Sequence, residues 1–235
     1  LYGAHVFAVE GSYDDAFDLC TEIADEFDWY NRNTGYNPYT REGKKTVALE
    51  ITSQLGYVPD HVFVPTGDGV VLGGVYKGFE DLVRLGLTQK IPVVHAVQAA
   101  GSNAIARALK ARRGRNGFAG ATDHSVPAET IADSIAVRVP ANGRGAVGKL
   151  REHSGRCVEV TDDQILSAQH ELARLTGLFA EPAAAASYAG LLVSATGVSA
   201  DQTVVLLVTG GGLKDTDAAS RVIELPGAHH VSEGE

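Results

Sequence analysis

The sequence predicts an α/β fold, an open, mostly parallel sheet flanked by helices. Two observations carry this. From residue 61 to residue 208, apolar runs of strand length alternate with longer segments of helical spacing, the order that places crossover helices between parallel strands. Two of those runs end in glycine-rich loops, Thr66-Gly67-Asp68-Gly69 and Thr209-Gly210-Gly211-Gly212. Loops of this kind leave the C-terminal end of a strand and, when a helix follows at once, present backbone N–H groups to a ligand.

The elements follow in order. His5 to Val9 reads as a strand, and Tyr13 to Phe27 as a helix, because Ala16, Phe17, Cys20, Ile23 and Ala24 recur at helical spacing. Asp28 to Arg41 is polar and aromatic, with Asn31, Asn33, Gly35, Asn37 and Pro38, and reads as a loop long enough to be functional or to connect lobes. Gly43 to Leu55 is helical, with Val47, Ile51 and Leu55 on one face. His61 to Pro65 is a short buried strand that runs through the glycine loop into a helix from about Val71 to Leu85. Strands are expected at Ile91 to Gln98, Ala136 to Val139, Cys157 to Val160 and Thr203 to Val208. Helices are expected at Ser102 to Ala111, near Ala146 to His153, and at Asp162 to Thr176 and Pro182 to Ser194. The tail after Leu225, with His229 and His230, is expected to be loose or an edge.

With 235 residues, 44% of them hydrophobic, the chain is long enough for one large or two small units with a buried core. Its net charge of -9 disfavours a nucleic-acid partner, and the brief basic cluster Lys110 to Arg115 reads as a decorated helix end. Two cysteines, Cys20 and Cys157, lack the spacing of a metal site or a disulfide framework and fit a reducing cytoplasm. No apolar run approaches the roughly 20 residues that cross a membrane. The chain holds no Met and opens in mid-pattern at Leu1-Tyr2-Gly3-Ala4, so a fragment or a processed chain is expected.

The loop Thr66-Gly67-Asp68-Gly69 is neither a dinucleotide fingerprint nor a Walker loop, since no third glycine falls three residues on and no Gly-Lys-Ser/Thr follows. It reads as a phosphate cradle or as a tight turn. In the first reading Asp68 must point away from the phosphate or cap the helix, because two anions repel. The second loop, Thr209 to Asp215, puts a hydroxyl beside three glycines at a strand end.

Together with Asn37-Pro38-Tyr39-Thr40-Arg41-Glu42-Gly43-Lys44-Lys45-Thr46, Thr130 to Ile135 and Glu181-Pro182-Ala183-Ala184-Ala185-Ala186, these loops resemble the threonine synthase family over essentially the whole chain, matching the last two-thirds of the family's pattern. The resemblance implies the tryptophan-synthase-β-like fold (fold type II) of pyridoxal-phosphate enzymes, with its N-terminal part missing. Residues 1–33 would then be a remnant of the smaller lobe and 34–235 the larger, cofactor-binding lobe. It implies pyridoxal 5'-phosphate as cofactor, held at its phosphate by backbone amides of Gly67, Asp68, Gly69, Val70 and Val71. Thr209 and Gly210 would lie at the ring, the Thr209 hydroxyl bonding the pyridine nitrogen, with Glu181 standing behind them. Asn37 and Arg41 would bind the substrate. The implied reaction converts O-phosphohomoserine and water to threonine and phosphate by γ-elimination and β-addition, in a cytoplasmic enzyme that is a homodimer when full length.

The family places its Schiff-base lysine upstream of Leu1, so no catalytic residue is expected in this chain, and Lys44, Lys45, Lys77 and Lys214 read as solvated or structural. The chain departs from the family where Thr40 stands at the usual arginine, Lys44 at a glutamine and Gly211 at a frequent histidine. Within the same fold the alternatives are a threonine or serine ammonia-lyase, a diaminopropionate ammonia-lyase and a cysteate-synthase-like enzyme. Outside it, the alternative is a non-catalytic ligand-binding or interaction chain.

Overall fold

A computed structural model describes residues 2–111, 127–194 and 197–221. Four parallel strands form its sheet: β1 (His61–Pro65), β2 (Val93–Ala99), β3 (Arg156–Val160) and β4 (Val204–Leu206), in spatial order β3-β2-β1-β4. The register pairs Phe63 with His95 on one side and with Leu206 on the other. β1 is buried at all five residues, as a central parallel strand covered on both faces should be.

Helices α1 (Tyr13–Glu26), α2 (Pro38–Lys44) and α3 (Thr46–Leu55) precede β1. After it come α4 (Val70–Arg84), α5 (Ala104–Lys110), α6 (Gly143–Glu152), α7 (Asp162–Thr176), α8 (Pro182–Ser194) and α9 (Thr216–Ser220). One hydrophobic core lies on the α4 side of the sheet, where Leu72, Val75, Tyr76 and Phe79 meet Val62, Val64 and Val94. A second lies on the α8 side, where Ala183, Ala186 and Ala189 approach Phe63 and Val97. The small residues of α8 let it sit close to the strands, which explains a helix buried at Pro182–Ser187, Ala189 and Gly190. α7 begins at a capping box, Thr161 with Gln164, and ends at Gly177 in the left-handed region.

Four expectations are corrected. His5 to Val9 forms no strand: no neighbouring strand pairs with it among the described residues, and Val6 and Phe7 are 85% and 74% exposed. An apolar run has the length of a strand, but a strand needs a partner ladder. Ala136 to Val139 is irregular as well, because its backbone N–H groups go to a nearby turn and to side chains rather than to a strand: Ala136 N donates to Asp133 O at 2.9 Å and Arg138 N to Asp14 Oδ2 at 3.3 Å. Ser102 Oγ accepts from Val137 N at 3.0 Å and faces the carbonyls of Val137 and Ile135 at 3.1 and 3.2 Å. The loop expected through Arg41 ends at Pro38, where Asn37 caps α2 by accepting from Tyr39 N at 2.9 Å. The helix expected from Gly43 is broken at Lys45, whose carbonyl packs against the bare Gly78 of α4, where a Cβ would collide with it.

The basic cluster is described only at Lys110 and Ala111; Lys110 ends α5 and pairs with Glu159, and 112–115 lie outside the described residues. The tail after Leu225 also lies outside them. Both cysteines are free, and burial pushes the Cys157 thiol up to about 12, which makes it a poor nucleophile. No helix of the described residues is long and apolar enough to cross a membrane.

Candidate cofactor site

β1 delivers the glycine loop at its C-terminal end, where Thr66 N still bonds to Val97 O of β2 at 2.8 Å. Gly67 then passes so near the 3₁₀ turn at Asp133–Ile135 that a Cβ would lie 2.9 Å from Ile135 Cα. Gly69 has φ +81°, a conformation that favours glycine, and it caps α4. Asp68 accepts from Val70 N through Oδ1 at 2.8 Å, so its carboxylate is turned onto the helix start. Among the described residues, the amides of Gly67, Asp68, Gly69, Val71 and Leu72 find no acceptor. Five such donors at the head of a helix of 15 residues form a place that attracts an anion.

The loop is braced from behind. Asn142 N donates to Asp68 O at 2.9 Å, and Asn142 Nδ2 to Gly69 O at 2.9 Å. It also meets three cavities, one at each of three residues. Val71 opens onto about 650 Å³ shared with Thr209, Thr40, Lys44 and Arg32. Asp68 opens onto about 500 Å³ shared with Tyr13 and Arg138, and Val70 onto about 530 Å³ shared with Asn37 and Arg41.

Thr209 follows β4, is exposed, and has no hydrogen-bond partner among the described residues. The next residue is held by Glu181, whose N donates to Gly210 O at 3.0 Å. The Glu181 carboxylate lies against Gly210 so closely that a Cβ there would overlap it, and it receives Lys214 Nζ at 2.6 Å. That pair borders a cavity of about 380 Å³ with Ser134 and Asp215.

Of the residues singled out in the sequence, Val71 and Thr209 thus share one cavity and Glu181 contacts Gly210. Asn37 and Arg41 face another cavity. Both ends of the Asn37 amide are used inside the chain, since Nδ2 also donates to Asn31 O at 2.9 Å. Lys44 does line the Thr209 cavity, but its ammonium donates to Thr34 Oγ1 at 3.0 Å. Lys45 and Lys77 pair with Glu42 and Asp81, and Lys214 with Glu181.

Two features had no signal in the sequence. Arg138 clasps the head of α1, with Nε 3.2 Å from Asp14 Oδ2 and Nη2 3.0 Å from Asp15 Oδ1 and 2.9 Å from Ser12 Oγ. Asn142 is a lone polar residue whose bracing role depends on where α6 packs. Glu80, Glu152 and His153 form a group with metal-ligand chemistry among the described residues, and Lys149 Nζ supplies the cation there, 2.5 Å from Glu80 and 2.8 Å from Glu152.

The family model described as "Pyridoxal-phosphate dependent enzyme" matches residues 1–210. Threonine synthase of Methanosarcina acetivorans is 39% identical over 229 residues, 96% of this chain and 55% of that protein. Threonine synthase of Methanocaldococcus jannaschii is 38% identical over 231 residues, again 96% and 55%. The chain therefore spans about half the length of these curated relatives. Among solved structures, the processed form of threonine deaminase isoform 2 from Solanum lycopersicum has a TM-score of 0.73 at 20% identity, over 96% of this chain and 61% of that one. Maize serine racemase has a TM-score of 0.68 at 20% identity, over 94% and 62%. These two likenesses show a shared fold.

Proposed function

Because this chain belongs to the pyridoxal-phosphate-dependent enzyme family and has its fold type II sheet, we propose that it is the larger part of a threonine-synthase-like enzyme that acts on a small amino-acid substrate. The observation that carries the reading is the set of unfilled amides at Gly67, Asp68, Gly69 and Val71, the last of which belongs to a residue that lines one cavity with Thr209. These groups fit a phosphorylated pyridine. The amides would take the phosphate oxygens, and the cavity of about 650 Å³ lies within the roughly 300–1,000 Å³ of small-molecule sites.

When bound, pyridoxal phosphate supplies an electron sink for a substrate carbanion. The chain's own residues hold and orient. The amides of Gly67, Asp68, Gly69 and Val71 would hold the phosphate, whereas that of Val70 is already taken by the Asp68 carboxylate and drops out of the set that the resemblance implied. Thr209 would donate its hydroxyl proton to the pyridine nitrogen, a neutral contact that does not force the ring to be protonated. Glu181, with Gly210 bonded to its backbone, keeps Thr209 in place. Asn37 would act through α2, whose start it caps, while Thr40 and Lys44 of that helix line the Thr209 cavity. Residues 1–33, tied to the larger part through Arg138, would belong to the smaller lobe.

No residue here is assigned the lysine role, since Lys44, Lys45, Lys77 and Lys214 all have partners. We place that lysine in the portion that the curated relatives have and this chain does not span. A cytoplasmic homodimer is part of the same proposal.

The test is retention of pyridoxal phosphate, followed by phosphorus NMR and dialysis, in the parent and in Gly67→Asp. Loss in the variant is expected, and equal retention would refute the phosphate placement. Product analysis with O-phosphohomoserine against threonine, phosphoserine and diaminopropionate then separates synthase from ammonia-lyase. The departures at Thr40 and Gly211 keep the ammonia-lyase reading open as the second.

A further inference from the structure

Thr40 and Arg41 are neighbours in α2, and the roughly 100° step of a helix sends them into different cavities. Thr40 lines the Thr209 cavity, whereas Arg41 lines the separate one of about 530 Å³ between α2, α4 and α6. The other cations of this second cavity are committed to carboxylates. Lys77 Nζ lies 3.5 Å from Glu42 and 3.4 Å from Asp81, Arg84 Nη1 3.3 Å from Asp81, and Lys149 Nζ 2.5 Å from Glu80.

Arg41 is the exception. No carboxylate pairs with it among the described residues, and its Nε is buried without an acceptor. Its guanidinium lies over the bare face of Gly73, where a Cβ would come within 3.4 Å of Nε and 3.7 Å of Cζ. A partly buried cation without a counter-charge is costly, and a guanidinium fork is satisfied best by two oxygens of one oxyanion.

We propose that this cavity binds a small oxyanion, the carboxylate or phosphate group of a metabolite, through Arg41, at a site separate from the Thr209 cavity. The site lies behind the glycine loop. Val70 and Asn142 line it, and Asn142 carries the two bonds that brace Asp68 and Gly69. The anion site does not rest on the cofactor reading given above.

Calorimetric titration of inorganic phosphate, and separately of malonate, into the protein saturated with pyridoxal phosphate tests the site. Saturable binding that weakens about tenfold or more in Arg41→Leu, and less in Arg41→Lys, is the expected result. Preference for phosphate or for malonate tells which oxyanion chemistry the cavity serves. Arg41→Leu should also melt no lower than the parent in anion-free buffer, while losing the rise that the anion gives the parent. Binding unchanged in Arg41→Leu, or no saturable binding of either anion, overturns the site. Failure of the cofactor reading is distinct: pyridoxal phosphate would not be retained, while anion binding that Arg41→Leu weakens would persist in the parent.

Discussion

The ammonium of Lys214 sits 2.6 Å from Glu181 Oε2, joining a side chain that is 63% exposed to one that is 8% exposed. Because Glu181 also holds Gly210 through its backbone, this pair anchors the loop that carries Thr209. Removing the cation leaves a buried carboxylate unpaired, so Lys214→Met should cost about 1–3 kcal/mol in denaturant unfolding. Gly210→Ala should be worse, since its Cβ would occupy the place of the Glu181 carboxylate. Equal stability of parent and Lys214→Met would mean that Glu181 is satisfied without its partner.

Asp68 lends itself to a prediction of sign. Its Oδ1 accepts from Val70 N, a bond that an asparagine oxygen also makes, so Asp68→Asn should keep stability within about 0.5 kcal/mol and tighten phosphate binding by removing a like charge. Asp68→Ala, without the acceptor, should lose about 1 kcal/mol. Weaker phosphate binding in Asp68→Asn would show that the carboxylate serves the site directly.

Thr209→Ala should retain the cofactor phosphate and impair turnover of the full-length enzyme, because it removes a ring contact and leaves the amides of Gly67 to Val71 untouched. Steady-state rates read this, and an unaffected rate would remove Thr209 from the site.

His61 and His95 make a buried pair on adjacent strands at the opposite end of the sheet. His61 Nδ1 lies 3.0 Å from His95 Nε2, and His95 stacks on Phe63 at 4.1 Å between ring centroids. Burial, with His61 adding to it, pushes the His95 imidazole down to about 4. The folded protein thus binds this proton less readily than the unfolded chain, whose histidines titrate near 6.5. Stability from this group is complete above about pH 6.5 and is lost progressively as pH falls from there through 4, a change of about 3 kcal/mol. In His95→Phe this part of the acid slope should vanish, as unfolding free energies between pH 7 and 4 would reveal.

Arg138 should govern the docking of α1. Hydrogen bonds from Ser12, then from Arg138, hold the Asp15 carboxyl down to about 2. Its share of the clasp is therefore full above about pH 4 and fails as pH falls through 2. Arg138→Gln should speed amide hydrogen exchange across residues 13–26 without altering that of β1, and unchanged exchange would show α1 to be held by its apolar face instead.

The elements easiest to read were those whose signal is local. Thr161 and Gln164 before an amphipathic run fix the start of α7, and the apolar run His61 to Pro65 is β1 to the residue. His5 to Val9 and Ala136 to Val139 misled because they are apolar runs of strand length that, among the described residues, pair with no neighbouring strand. The glycine loops were visible at once, but whether Thr209 and Val71 face one cavity depends on β4 lying beside β1, a pairing of segments some 140 residues apart.

The sequence by itself determined the parallel α/β class, the order of the helices and the two loops, because period, caps and glycine conformations act within a few residues. Tertiary structure alone decided what those loops confront. It turned Asp68 onto the head of α4, set Asn142 behind the glycine loop, paired Lys214 with Glu181, and sent Arg41 into a cavity apart from Thr40. Each of these depends on which side chain a distant element brings within hydrogen-bond reach, and that follows from packing across the sheet rather than from spacing along the chain.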